Sequence, residues 1–293
     1  MPEGDTIHNA ARRVGDALVG HEIEAIETPQ PRHRLDRWPE RLAGRAVRSV
    51  EARGKHLLLR FDGGLTVHSH LRMGGAWRVY RRGERWRRSR RRAWLVLCTP
   101  GHEVVQFDGP VLELMTDGRA RSDPRIASLG PDVLAPEFDE AAFLRRLRED
   151  DPTRAIGDAL LDQRNLAGIG NAWKSEGCFL AGVDPWRRVD DVSDADALGI
   201  VAALRPLMQR SVERGPQVVT YEPGRPPAPD RAPMNALGRP EAARVPAGAA
   251  APGRPTWVFA RSGLPCRACG APIRARGQRD DNRTTYWCPR CQR

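Results

Sequence analysis

Lysine is almost absent from this chain: of 48 basic residues in 293, Lys55 and Lys174 are the only lysines. Arginine supplies the rest. In a sequence also heavy in alanine and proline, coding bias accounts for much of that arginine, so the two lysines are the more informative cations. No apolar run approaches the roughly 20 residues of a membrane-spanning helix. The N-terminus lacks the basic, apolar, small-residue order of a secretory signal, so the sequence reads as soluble and cytoplasmic, without a membrane partner. Acidic residues are also in deficit, 37 against 48, a net charge of +11. That balance points toward a polyanionic partner, nucleic acid or an anionic membrane surface; with no amphipathic membrane helix in view, nucleic acid leads.

Cysteine is limited to six residues, and four of them stand in pairs near the C-terminus. Without a secretory signal, paired cysteines read as metal ligands rather than disulfides. The segment CRACGAPIRARGQRDDNRTTYWCPRC places Cys266 and Cys269 eighteen residues before Cys288 and Cys291. Each close pair can grip one tetrahedral ion, and two such knuckles on a hairpin make a closed, structural site for one Zn²⁺. Metal binding then supplies folding free energy to a segment too small for a core, with Arg274, Arg276, Arg279 and Arg283 presented on a rigid tip. Cys98 and Cys178 stand alone in apolar surroundings and read as core residues.

The chain opens MPEGDTIH. Methionine is normally trimmed from Met-Pro, which leaves Pro2 as a free secondary amine, a nucleophile for a carbonyl-like carbon, with Glu3 beside it. Ile7, Ala10, Ala11, Val14 and Leu18 then recur at helical spacing, with Asp5 or Thr6 placed to cap the helix. From about residue 22 to 117 the period becomes strand-like, in eight short runs separated by DGG, PGH, DGP and TDG turns, which predicts a β-sandwich or barrel. Beyond LGPDVL the stripes are helical: FDEAAFLRRLRED, TRAIGDALLDQ, NAWKSEGCFLAG and DADALGIVAALRPLMQRSVE. Residues 222–256 are too rich in Pro, Ala and Gly to pack and read as a flexible linker or a disordered insertion.

Three further constellations carry chemistry. In NLAGIGNAWKSE, Gly168 and Gly170 allow a tight turn before a helix that starts near Asn171, an anion site for a phosphate or simply an αα-hairpin. In RGKHLLLRF and VHSHLRMGG, a hairpin brings Lys55 and His70 to one end of a sheet, with Met73 in a glycine-bounded turn. Each of these three also has an ordinary reading as a surface or packing residue. The run RVYRRGERWRRSRRRAW reads as a solvated hairpin loop that adds general attraction to nucleic acid without specific contacts.

Taken together, PEGDTI, GKHLL, HLRMGG, GIGNAWKSE and NRTTYWCPRCQ resemble the formamidopyrimidine-DNA glycosylase and endonuclease VIII family of base-excision repair enzymes, closer to the endonuclease VIII branch and its actinobacterial members. The resemblance covers nearly the whole chain apart from the linker. It implies an α+β multidomain fold: a catalytic β-sandwich with a leading helix (1–125), a helix-two-turn-helix domain (126–221), the linker (222–256) and a zinc-ribbon hairpin (257–293), with damaged DNA held between domains by a monomer. Residue by residue, Pro2 matches the family's nucleophile, Glu3 its proton donor and Lys55 a phosphate-contacting lysine that supports catalysis. His70, Asn171 and Arg283 match further phosphate contacts, and Met73 a wedge inserted where the damaged base leaves the stack.

The implied reaction is removal of an oxidised base by attack of the Pro2 amine on the sugar, then strand cleavage by β- and δ-elimination from the resulting iminium. The positive end of the first helix disfavours a second positive charge on Pro2, which raises its nucleophilic fraction, but it also favours ionised Glu3, whereas a general acid needs the opposite. Three departures bear on the substrate. Thr6 stands where the family commonly has glutamate, no Arg-Phe gap-filling pair is present, and the capping loop of the formamidopyrimidine branch falls on the Pro/Ala-rich stretch within 212–257. Oxidised pyrimidines are therefore expected over 8-oxoguanine. Two other readings stand beside this one: an AP lyase with weak glycosylase action, and a non-catalytic zinc-ribbon DNA-binding protein.

Overall fold

The apolar stripe Ile7, Ala11, Val14 and Leu18 becomes the buried face of helix α1 (Gly4–Leu18). The computed structural model describes residues 2–215, 217–222, 255–278 and 283–293, and the chain divides into two units, Met1–Leu129 and Gly130–Arg293. Asp5 and Thr6 do not cap α1. The helix starts at Gly4, so both already have helical backbone; the N-cap is Glu3, whose carbonyl accepts the N–H of Thr6 at 3.0 Å and of Ile7 at 3.2 Å. Asp5 lies buried in the first turn, where its charge complements the helix dipole.

All eight expected strands form: β1 (Ala25–Glu27), β2 (Val47–Arg53), β3 (His56–Phe61), β4 (Leu65–His70), β5 (Ala76–Arg81), β6 (Ala93–Cys98), β7 (His102–Phe107) and β8 (Val111–Thr116). They make two antiparallel four-stranded sheets, ordered β1-β6-β7-β5 and β2-β3-β4-β8. Leu57, Leu59, Phe61 and Val67 of one sheet and Trp77, Leu95, Leu97 and Val104 of the other share a core with α1. Period-2 alternation places these side chains on inner faces. Four short helices have no clear stripe in the sequence: α2 (Pro31–Leu35), α3 (Trp38–Leu42), α4 (Asp117–Ser122) and α5 (Pro124–Ala127). At four to six residues each, they are too short for a 3.6 period to show.

The second unit holds α6 (Glu140–Glu149), α7 (Ile156–Leu161), α8 (Asn171–Leu180) and α9 (Asp194–Arg214). Asp139 caps α6 through Ala142 N–H (2.8 Å) and Ser193 caps α9 through Asp196 N–H (3.1 Å). Phe143, Leu160, Trp173, Ile200 and Leu204 form its centre. A β-carbon on Gly177 would stand 2.6 Å from Leu204 Cδ1, so glycine there lets α9 pack directly on α8. The C-terminal hairpin is β9 (Arg274–Gly277) paired with β10 (Thr284–Trp287). Trp257, Val258, Ile273 and two cysteines pack with Phe179 of α8 beneath it.

The Pro/Ala-rich stretch falls mainly on 223–254, outside the described residues. Its flanks join: the N–H groups of Thr220 and Tyr221 donate to Pro255 O at 2.8 and 3.1 Å. Among the described residues no helix is long and apolar enough to cross a membrane.

Candidate active site and zinc centre

Two contacts fix the direction of α1 on the first unit. Val19, just past its C-terminus, bridges to Val47 at the start of β2, and a β-carbon on Gly15 would meet Val50 Cβ at 3.8 Å. Helix and strand therefore run antiparallel. With 15 residues in α1, roughly 22 Å, and 7 in β2, about 23 Å, Pro2 and Glu3 emerge at the same end as the β2–β3 turn, Gly54-Lys55. Gly54 has φ of 58°, a left-handed conformation that glycine adopts without strain. Glu3 is 4 % exposed at the N-cap.

His70 lies at that end too, because it pairs in register with His56, the residue after Lys55. The N–H of Arg72 donates to His70 Nδ1 at 3.1 Å, which leaves Nε2 to carry the proton of the neutral ring. Burial, then the charges of Arg72 and Lys55, hold His70 down to about 4, so it is neutral near pH 7. Met73 follows in the β4–β5 turn with 70 % of its surface exposed. An apolar side chain offered to solvent in this way suits insertion between bases.

Sequence reasoning missed what stands behind His70. His56 Nδ1 and His68 Nε2 are 2.8 Å apart with stacked rings, and the His56 ring meets His70 edge-on at 4.8 Å. His68 is fully buried, and its Nδ1 faces Glu113 Oε2 at 3.7 Å. Glu113 is held in turn by Arg125, which also pairs with Asp123. The signal was present: VHSH puts His68 and His70 on one face of a strand, and the DGG turn sets His56 opposite His70.

The arginine-rich β5–β6 connection is largely exposed, as expected of a solvated hairpin loop, but it is tied to the sandwich. Trp86 stacks on Tyr80, meets Phe107 edge-on and donates its Nε1 hydrogen to Glu103 at 2.8 Å. Arg88 and Arg92 pair with Asp108, and Arg90 pairs with Glu27. Three of its guanidinium groups therefore serve the sandwich itself.

In the second unit, Asn171 is hydrogen-bonded to the residue that follows Arg283. Asn171 is the first residue of α8, and its Nδ2 donates to Thr284 O at 2.7 Å, next to Arg283. Gln278 N–H donates to Arg283 O at 3.0 Å; Arg279, expected on the same tip, lies outside the described residues. Arg276 does not project freely, since its guanidinium lies 3.9 Å from the Trp186 ring centroid. Lys174, the second lysine, is fully buried: its Nζ donates to Gln278 Oε1 at 2.9 Å and to Thr285 Oγ1.

The four paired cysteines converge, with all Sγ atoms within 4.8 Å of one another. Cys269 and Cys288 sulfurs are 3.4 Å apart, and those of Cys266 and Cys291 3.9 Å. These distances far exceed a disulfide bond of about 2.05 Å. They bracket the edge of about 3.8 Å that four sulfurs at roughly 2.3 Å from one zinc ion define. Cys266, Cys269, Cys288 and Cys291 thus fit one structural zinc ion with no open position. Cys98 and Cys178 are buried elsewhere, and burial pushes the Cys178 thiol up to about 12.

A two-sheet sandwich led by a helix, a helical unit with a Gly-rich turn, and a four-cysteine finger together define a class of modular DNA-processing protein. The comparisons narrow it. Residues 1–113 match the formamidopyrimidine-DNA glycosylase N-terminal domain, 129–222 the formamidopyrimidine-DNA glycosylase H2TH domain, and 263–293 the zinc finger found in FPG and IleRS. The chain is 38 % identical over 296 residues to "Probable endonuclease 8 2" of Streptomyces coelicolor, covering all of this chain and 94 % of that protein. It is 34 % identical to "DNA-(apurinic or apyrimidinic site) lyase Nei2" of Mycolicibacterium smegmatis, over 100 % and 99 % of the two chains. A Lactococcus lactis Fpg bound to DNA containing N7-benzyl-Fapy-dG shares the fold over all of both chains, with a TM-score of 0.74 at 23 % identity. The chain belongs to the formamidopyrimidine-DNA glycosylase and endonuclease VIII family.

Proposed function

We propose that this protein is a bifunctional DNA glycosylase and AP lyase of base-excision repair that removes oxidised bases, chiefly pyrimidines. The observation that carries the reading is the helix α1 N-terminus, with Pro2 and Glu3, emerging at the same end of the sandwich as Lys55 and His70 in a chain of this family. In the reaction, the Pro2 amine forms a bond to C1′ as the glycosidic bond breaks and the base departs, with Glu3 as proton donor. Loss of the remaining amine proton and opening of the sugar leave a cationic iminium. Its positive nitrogen accepts the electrons released when the 2′ proton leaves, so the C3′–O bond breaks, and the 5′ bond follows in a second elimination.

Around that centre, Lys55 and the Nε2–H of neutral His70 contact phosphates, and Met73 fills the gap left by the extruded nucleotide. Asn171 keeps its second Nδ2 hydrogen for a phosphate while Thr284 O takes the first, and Arg283 lies alongside. The zinc ion holds the hairpin that carries Arg283. The functional division is 1–125, 126–221, 222–256 and 257–293. The protein acts as a monomer in the cytoplasm, on DNA.

A second reading, an AP lyase with weak glycosylase action, is favoured by the printed name of the mycolicibacterial relative. The test is incision of duplexes carrying 5-hydroxyuracil, 8-oxoguanine or an abasic site by the wild-type enzyme and by Pro2→Gly. Cleavage at 5-hydroxyuracil that Pro2→Gly abolishes supports the glycosylase. Cleavage confined to the abasic duplex supports the lyase, and unimpaired cleavage by Pro2→Gly contradicts both.

A further inference from the structure

We propose that His68 is a positioning residue: through a buried relay running Glu113, His68, His56, it fixes which nitrogen of His56 carries the proton, so that His56 keeps an acceptor beside His70, whose own donor is set by Arg72 N–H. The inference rests on the reading of His70 as a phosphate contact only for its functional consequence. The relay itself stands on geometry.

His68 Nδ1 has no hydrogen-bond partner and is sealed from water. At 3.7 Å from Glu113 Oε2 it is too far for a hydrogen bond but near enough for the carboxylate field to select its state. A lone pair pointed at a carboxylate is repelled, whereas an N–H is attracted, so the proton sits on Nδ1. His68 Nε2 is then bare and accepts the 2.8 Å bond from His56 Nδ1–H. His56 Nε2 is consequently left as an acceptor. His70 has the opposite tautomer, because Arg72 N–H occupies its Nδ1. The three rings stay in this arrangement by stacking and edge contact at 5.1 and 4.8 Å.

The surroundings keep all three neutral. Facing the cluster are Glu113 of β8, Arg125 of α5 with Asp123 at its N-cap, Lys55 of the β2–β3 turn and Arg72 of the β4–β5 turn. Arg125 is bound to both carboxylates, which spends their charge on the guanidinium rather than on an imidazolium. A proton added at His68 Nε2 would meet the His56 Nδ1–H head to head at 2.8 Å, and one added at the free His56 Nε2 would be a buried charge facing Arg125. The cluster therefore resists acid as a unit, and a neutral His70 keeps one donor direction.

The test is nitrogen-15 NMR of histidine-labelled full-length protein from pH 5 to 8. The expected wild-type pattern is Nδ1–H for His56 and His68 and Nε2–H for His70, unchanged across the range. In His68→Leu, His56 becomes a tautomer mixture and His70 begins to titrate within the range. Glu113→Gln, which leaves the core intact, covers the case in which His68→Leu does not fold, and it should reverse the His56–His68 pair. A wild-type His56 with its proton on Nε2, or both variants leaving His56 and His70 unchanged, overturns the proposal. Affinity for an abasic-site duplex separates the two levels. If the tautomers are as stated but His70→Ala binds as wild type, the relay stands and the phosphate role of His70 falls.

Discussion

The carboxylate of Glu176, in the middle of α8, accepts the backbone N–H of Trp257 at 2.8 Å across 81 residues of chain. The same carboxylate takes the N–H groups of Val258 and Phe259 at 2.8 and 2.7 Å and the hydroxyl of Thr220. Glu176 thus clasps both flanks of the stretch 223–254. Glu176→Gln leaves at least one of these donors facing an amide NH₂, and should cost about 3 kcal/mol. Hydrogen exchange at Trp257, Val258 and Phe259 should quicken first; unchanged protection there would show that the clasp is not what holds the segment.

Lys174 ties α8 to the zinc hairpin from inside. Replacing it with methionine keeps the apolar stem but leaves Gln278 and Thr285 without their shared cation, and should destabilise the second unit by about 1–3 kcal/mol. Lys174→Arg should not rescue it, because the site is fully buried and has no room for a larger planar head. Denaturant unfolding of both variants, followed by Trp257 and Trp287 fluorescence, measures this.

Zinc removal should act locally. A chelator is expected to abolish exchange protection in β9 and β10, whose apolar support is small, while α6 to α9 persist on their own core of Phe143, Leu160 and Leu204. Cys288→Ser should reproduce the effect. Parallel loss of the helices would mean that the finger supports the whole unit.

Acid should weaken the first unit. His56 is held down to about 3 by burial and by its two histidine neighbours, against an ordinary value of 6.5. Between these values the unfolded chain binds the proton and the folded chain does not, so stability is complete above pH 6.5 and falls as pH drops toward 3. At pH 5 the loss from His56 alone is about 2 kcal/mol. His56→Gln should flatten the dependence of the unfolding midpoint between pH 7.5 and 5; an unchanged slope would place the titration elsewhere.

The strands were legible because β2 to β8 are short runs of strand-forming residues between turn signals, and α6 to α9 because each shows a stripe. The zinc ligands were legible because their chemistry is local in sequence. Burial of Lys174 was not: a lysine in NAWKSEGCFLAG looks like a solvated or phosphate-binding cation until Gln278 and Thr285, more than 100 residues on, close over it. The ion pairs of the exposed arginine loop were not legible for the same reason, since Asp108 follows β7 and Glu27 belongs to β1.

The central claim is covalent chemistry at Pro2, and borohydride trapping tests it most directly. Purified protein with zinc bound and Met1 shown to be removed is incubated with duplexes carrying 5-hydroxyuracil, 8-oxoguanine or an abasic site in the presence of borohydride. Reduction fixes an iminium as a permanent protein–DNA crosslink. The account predicts a crosslink that peptide mapping assigns to Pro2, formed on the 5-hydroxyuracil and abasic duplexes and lost in Pro2→Gly. A crosslink mapping to Lys55, or none on any duplex, would contradict it.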